Sequence, residues 1–324
     1  MTPEPSMQSA MLFPGQGAQA VGMGADVAAH YPEAARVMGE ADALLGYALS
    51  DLMLSGPLET LTETRHAQPA LLVHSVAVLR VLQARGIEPA IVAGHSLGEY
   101  SALVAAGALT FEAALGLVKT RGDLMFDCGV RAPGAMAAVV GLEVEAVERI
   151  CAKVRALGVC DLANLNAPDQ VVISGAVPAV EAALPLLQEA GARIVKRLNV
   201  SGAFHSALMR EPAEVFAAAL YQTEFHDAAV PVLTNVGARA EQSGTQLRAL
   251  LKLQIASPVR WTESMQALRA HWPGPVLEVG SGSVLKGLLR RIDREAVCTA
   301  VGTHADIEAL VQKGLPSASN GTVV

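Results

Sequence analysis

The stretch VAGHSLGEY, residues 92 to 100, carries the spacing G-x-S-x-G around Ser96. On a strand-to-helix turn, two such glycines let the backbone bend sharply enough to hold a serine at its apex. The hydroxyl is then exposed and the next residue's N–H is free at a helix N-terminus. The spacing also fits a plain strand-loop-helix connection in which Ser96 only caps the helix. A serine hydroxyl is a weak nucleophile at neutral pH and needs a base, most often histidine. The chain has 8 histidines. His95 adjoins Ser96, but consecutive side chains at such a turn point apart. His30, His66, His74, His226, His271 and His304 lie in helical or polar surroundings and read as solvated or structural. His205, in NVSGAFHSALM, follows a strand and a glycine loop and is the candidate base.

These residues need a frame. Short apolar runs ending in glycine, AMLFPG and AIVAG, read as buried strands. PALLVHSVAVLRVLQARG, GEYSALVAAGAL and TFEAALGLVKTRGDLMFDCG read as helices, the last opened by Thr110 as N-cap. Alternation of this kind predicts a mostly parallel sheet covered by helices. From residue 131 the order becomes strand, helix, strand, strand, helix, strand, carried by GAMAAVVGL, VEAVERICAKV, CDLANLN, QVVISGA, VPAVEAALPLLQEAG and ARIVKRLNV. That is the ferredoxin-like pattern of a small inserted subdomain. The chain then returns to longer helices and the strands PVLTNV and PVLEVG. The expected division is a disordered leader over 1–10, a large subdomain over 11–130 and 202–313, the insert over 131–201, and a disordered tail over 314–324.

Composition narrows the partners. The 324 residues are 52% hydrophobic and 17% charged, with a net charge of −7. An acidic chain is a poor match for nucleic acid or an anionic membrane. No apolar run reaches the ~18 residues of a membrane span, and MTPEPSMQSA lacks the features of a signal peptide. The four cysteines, Cys128, Cys151, Cys160 and Cys298, form no CxxC pair, so reduced thiols in a cytoplasmic protein are expected rather than disulfides or a zinc site.

FPGQGAQAVGMG, GHSLGEYSALVAAG, RGDLM, GAMAAV, ANLNAPDQVVISG, SGAFHSALM, QIASPVRWT and LEVGSGSVLKGL occur in one order. Together they resemble the malonyl-CoA:acyl-carrier-protein transacylases of fatty acid synthesis over roughly residues 10 to 310. The resemblance implies an α/β fold: a hydrolase-like large subdomain with a mostly parallel sheet, plus the ferredoxin-like insert. It implies Ser96 as nucleophile and His205 as base, oriented by the backbone carbonyl of Gln254. It places the oxyanion between the N–H groups of Leu97 and Gln16, with Gly15 and Gly17 allowing close approach. Arg121, in VKTRGDLM, falls near a helix end before Gly122, where an arginine is ordinarily a solvated charge. The resemblance instead assigns it to the malonyl carboxylate, which once buried must be paired. It further assigns Phe204 to malonyl selectivity and Asn166 to acyl or CoA contact, although a loop asparagine can equally bond local backbone. Malonyl-CoA and acyl carrier protein are the implied partners of a monomer that uses no cofactor or metal.

The chain departs from the family pattern at three positions. Ala18 stands where serine is usual, Phe126 where glutamine is usual, and Ser281 where proline is usual. Phe126 is expected to alter the wall near Arg121. Lys286 and Arg290, four apart on one helix face with Arg291 beside them, are either a carrier-docking patch or a solvated surface. Service to a polyketide synthase or a malonate decarboxylase keeps the same chemistry. A serine hydrolase would want a carboxylate as third member, and a silent scaffold would have lost Ser96 or His205.

Overall fold

The computed structural model describes residues 7–200 and 202–315. β1 (Met7–Phe13) leads into α1 (Ala25–His30), α2 (Pro32–Leu45), α3 (Leu49–Ser55), α4 (Leu58–Thr62) and α5 (Thr64–Gln83). β2 (Ile87–Gly94), α6 (Gly98–Ala105) and α7 (Phe111–Arg131) follow. Next come β3 (Gly134–Val140), α8 (Val144–Val154), β4 (Cys160–Ala167), β5 (Gln170–Ala176), α9 (Val177–Glu189) and β6 (Ile194–Arg197). The chain continues through α10 (Arg210–Gln222), β7 (Val232–Leu233), β8 (Ala240–Glu241), α11 (Gly244–Gln254) and α12 (Trp261–His271). It closes with β9 (Val276–Val279), α13 (Val284–Ile292), β10 (Cys298–Val301) and α14 (His304–Lys313).

The larger sheet has the order β10-β9-β1-β2-β7-β8, parallel throughout except for the β7–β8 pair. Its central strands are apolar on both faces because helices cover both. Met11 and Phe13 face one cluster of buried side chains, Ala10 and Leu12 the other. The second sheet is antiparallel, order β4-β5-β3-β6, with its own apolar cluster beneath α8 and α9. In chain order that is 2-3-1-4, the split β-α-β arrangement the sequence pattern predicts.

The smaller sheet is tied to the loop between α11 and α12 next to the candidate site. Asn164 bridges Val259 in parallel, the Leu165 N–H donates to the Val259 carbonyl at 2.9 Å, and the Val259 N–H to Ala163 at 2.8 Å.

Three expectations change. β1 starts at Met7, so residues 7–10 belong to the sheet rather than to a leader. Gln8 and Ser9 break the apolar run in the sequence, yet Ser9 is fully buried and pairs with Pro89. Residues 1–6 and 316–324, the rest of the expected leader and most of the tail, lie outside the described residues. α5 begins five residues before Pro69, which sits inside it. Arg121 lies mid-way along α7 and is buried, not near its end. Gly122 does not stop the helix: a Cβ there would lie 3.1 Å from the Arg65 Cα, so it lets α5 and α7 pack closely. Thr110 does cap α7, accepting from the Ala113 N–H at 3.1 Å.

Candidate active site

β2 ends at Gly94 and α6 begins at Gly98, leaving Ser96 at the apex with φ +52°. Neither flanking glycine can carry a side chain. A Cβ on Gly94 would lie 1.9 Å from the Gly98 carbonyl, and one on Gly98 would lie 2.0 Å from the Phe13 carbonyl oxygen. Asn235, just after β7, clamps the turn from behind. Its Oδ1 accepts the Ser96 N–H at 2.7 Å and its Nδ2 donates to the Gly94 carbonyl at 2.7 Å.

His205 approaches from the loop after β6, with φ +59°. Its Nδ1 lies 3.0 Å from the Gln254 carbonyl and 3.1 Å from the Ser257 carbonyl. Carbonyls only accept, so Nδ1 carries the proton and Nε2 is bare. Nε2 faces the Ser96 hydroxyl at 2.7 Å, which donates to it. Burial, and then the charge of Arg121, push the imidazole down to about 3, so it is a neutral base at ordinary pH. Gln254 therefore stands where it is expected, and Ser257 shares its work. Among the described residues no carboxylate hydrogen-bonds the imidazole.

The Gln254 side chain is a hub. Its Nε2 donates to the Ser96 carbonyl at 2.9 Å and to Glu99 Oε2 at 2.6 Å, while its Oε1 accepts from Arg121 Nη2 at 3.1 Å. Glu99 is buried and also accepts the Asn235 N–H at 3.3 Å. Its burial pushes the carboxyl up to about 7, against the opposing pull of the Gln254 hydrogen bond.

Arg121 is 1% exposed. Nη1 donates to Gln68 Oε1 at 2.7 Å and Nη2 to Ser96 Oγ at 3.1 Å, while Nε has no partner among the described residues. Burial lowers its basicity, yet a guanidinium stays charged across the physiological range. Among the described residues no Asp or Glu oxygen stands within 4 Å of it. A buried cation held by neutral amides, a hydroxyl and the face of the Tyr100 ring, 5.7 Å away, has room for a carboxylate.

Gln16 and Leu97 line the same cavity of about 370 Å3 as Ser96, Arg121 and His205. Neither backbone N–H has an acceptor among the described residues, as an oxyanion site requires. A Cβ on Gly15 would fall 2.4 Å from the His95 carbonyl oxygen, so that glycine does permit close approach, whereas Gly17 meets nothing within 4 Å. Phe204, Met125, Met136 and Leu198 supply the apolar wall.

Two expectations about this wall change. Asn166 does not line the cavity; its Oδ1 faces His95 Nε2 at 2.8 Å, and Asn164, two residues earlier on β4, lines it instead. Phe126 lies off the cavity, stacked 3.8 Å from the Arg65 guanidinium. The other two departures meet each other: the Ser281 hydroxyl donates to the Ala18 carbonyl. Glu99, Asn235, Ser257, Gln68 and Asn164 were not singled out in the sequence. Only Glu99 gave a local signal, one helical turn beyond Ser96 on α6.

Among the described residues no cluster of His, Cys, Asp or Glu is arranged to hold a metal ion, and no helix is long and apolar enough to cross a membrane. All four cysteines are unbridged and buried.

The chain matches the acyl transferase domain family over residues 10–319. It is 44% identical over 304 residues to the malonyl CoA-acyl carrier protein transacylase of Bacillus subtilis (strain 168), spanning 94% of this chain and 96% of that protein. With the enzyme of the same name from Escherichia coli (strain K12) it shares 42% over 306 residues, 94% and 99% of the two chains. The solved acyl carrier protein S-malonyltransferase of Vibrio cholerae matches with a TM-score of 0.90 and 45% identity, over 94% of this chain and all of that one. A malonyl-transacylase solved in complex with its type II PKS acyl-carrier protein matches at a TM-score of 0.91 and 41% identity, over 95% of this chain and 100% of its own. Alike in sequence and fold along nearly its whole length, the chain belongs to the acyl transferase domain family, among the malonyl CoA-acyl carrier protein transacylases.

Proposed function

We propose that this protein transfers the malonyl group of malonyl-CoA to the phosphopantetheine thiol of acyl carrier protein, through a malonyl-Ser96 intermediate, supplying fatty acid synthesis. One observation carries the reading: Ser96 Oγ lies 2.7 Å from a bare imidazole nitrogen and 3.1 Å from a buried guanidinium. The first activates a nucleophile and the second recognises a carboxylated acyl group.

Ser96 Oγ attacks the thioester carbon while its proton passes to His205 Nε2. The carbonyl π pair moves onto oxygen, which the Leu97 and Gln16 N–H groups receive. As the C–S bond breaks, the CoA sulfur takes the proton from Nε2. In the second half the carrier thiol gives its proton to His205, its sulfur attacks the malonyl ester, and Ser96 Oγ leaves with that proton. Arg121 pairs with the malonyl carboxylate throughout. That pairing also neutralises the charge which, after burial, most suppresses the basicity of His205. Phe204 limits the space beside the acyl group. The steps use no metal or cofactor, and a cytoplasmic monomer suffices for them.

Carbonyl partners for His205 stand where a serine hydrolase of the triad type would want a carboxylate. Mass spectrometry after incubation with malonyl-CoA alone tests the intermediate. One malonyl mass should appear and Ser96→Ala should abolish it; an unchanged adduct in that variant sinks the assignment. Adding carrier protein should then yield malonyl-carrier rather than free malonate.

A further inference from the structure

Arg121 is buried without a direct ion pair, yet one carboxylate is connected to it. Glu99 Oε2 accepts from Gln254 Nε2 at 2.6 Å, and Gln254 Oε1 accepts from Arg121 Nη2 at 3.1 Å. The amide cannot turn over, because Glu99 and the Ser96 carbonyl both require its NH2 edge. We propose that Glu99 is the standing counter-charge of Arg121 in the empty site, relayed through Gln254, and that it yields this role to the carboxylate of the substrate. Glu99 is therefore a specificity-determining positioning residue that touches no reacting atom. The inference rests on the malonyl reading above.

The interposed amide matters. A direct Arg121–Glu99 pair would occupy the guanidinium and compete with the acyl carboxylate at contact distance. A neutral relay balances the charge and leaves that edge open. When a second carboxylate arrives, two negative charges share one guanidinium, and the ionised form of Glu99 becomes less favourable. Loading with malonyl should draw a proton onto Glu99; loading with acetyl should not.

The charged and titratable groups that act on Glu99 are Arg121 on α7 and Tyr100 on its own helix, while His95 and His205 stand on the other side of Ser96 in the same cavity. Burial first, then neighbouring cations, holds His205 down to about 3; burial lowers His95 and raises Tyr100. The Glu99 carboxyl, standing at about 7, changes charge between pH 6 and 8.5, whereas burial moves His95, His205 and Tyr100 away from the middle of that window.

Two measurements test the proposal. Proton uptake on acylation, read with a pH indicator in weak buffer at pH 7, should be about half a proton per malonyl-enzyme formed and none per acetyl-enzyme. Equal uptake with both overturns it. Second, the ratio of malonyl to acetyl kcat/KM should fall several-fold from pH 6 to 8.5 in the wild-type enzyme, as ionised Glu99 competes for Arg121. Glu99→Gln keeps the acceptor for Gln254 and Asn235 but removes the charge, so its ratio should be flat. The same fall in both enzymes overturns the proposal. If malonyl-CoA leaves no malonyl mass on the protein, the parent reading fails; if the adduct forms without uptake, the Glu99 inference alone fails.

Discussion

Ser96 and His205 meet side chain to side chain at 2.7 Å, and both hold backbones in the left-handed region, at φ +52° and +59°. Among the described residues only Ala238 joins them as a non-glycine with positive φ. The strain sits on the two residues whose side chains must face each other, and the surrounding clamps hold it there: Asn235 for the first, the Ile255, Gln254 and Ser257 carbonyls for the second.

That strain is measurable. Ser96→Gly should be more stable than Ser96→Ala by about 1 kcal/mol in urea denaturation, because glycine relieves the left-handed cost that alanine keeps. Both should lack transferase activity. Equal stability would mean that the elbow stores no strain.

Arg121→Ala should lose malonyl transfer by a few hundredfold or more in kcat/KM, since breaking one side of a buried pair costs about 3–5 kcal/mol. Acetyl transfer should survive or improve once the guanidinium is gone from beside Ser96 Oγ. Equal loss of both activities in a folded variant would remove Arg121 as selector.

His205 links stability to pH. It takes up a proton near pH 6.5 in the unfolded chain, but its folded value stands at about 3. Its contribution is therefore fully present above pH 6.5 and drains away as the pH falls toward 3. Urea denaturation at pH 7 and pH 4.5 should show a stability drop about 2 kcal/mol smaller in His205→Gln than in the wild-type protein. An identical drop would show that His205 titrates normally in the fold.

On α13, Lys286, Arg290 and Arg291 are all exposed, and Arg291 is held by Asp169 at 2.7 Å. Lys286 and Arg290 form no ion pair among the described residues. Lys286→Glu combined with Arg290→Glu should raise the KM for carrier protein several-fold at low salt and leave acylation by malonyl-CoA unaltered. An unaltered carrier KM would make this a solvated helix face.

The elbow was legible because two glycines must bracket a serine on such a turn, and both prove sterically required. His205 could be picked out by its place after a strand and a glycine loop. The clamps were not legible. Asn235 and Ser257 act through backbone geometry that no local spacing announces, since they reach Ser96 and His205 from 139 and 52 residues away. Arg121 was misplaced because glycine usually ends a helix, whereas Gly122 serves the contact between α5 and α7. The resemblance assigns Asn166 to acyl or CoA contact, but β4 carries register irregularities there, and Asn164 is the asparagine that lines the cavity.

The parallel stitch between Asn164 and Val259 sets how the molecule can breathe. β4 of the smaller sheet is pinned to the α11–α12 loop, beside the carbonyls that hold His205. Val259 lies two residues beyond Ser257, so any gaping along that edge would pull on the carbonyls that aim His205. Gln16, Gly17 and Gln19 from one part of the chain and Leu198, Asn199 and Val200 from another line the same cavity. The position of β4 and the aim of the imidazole are therefore coupled through the two residues of chain that separate Val259 from Ser257.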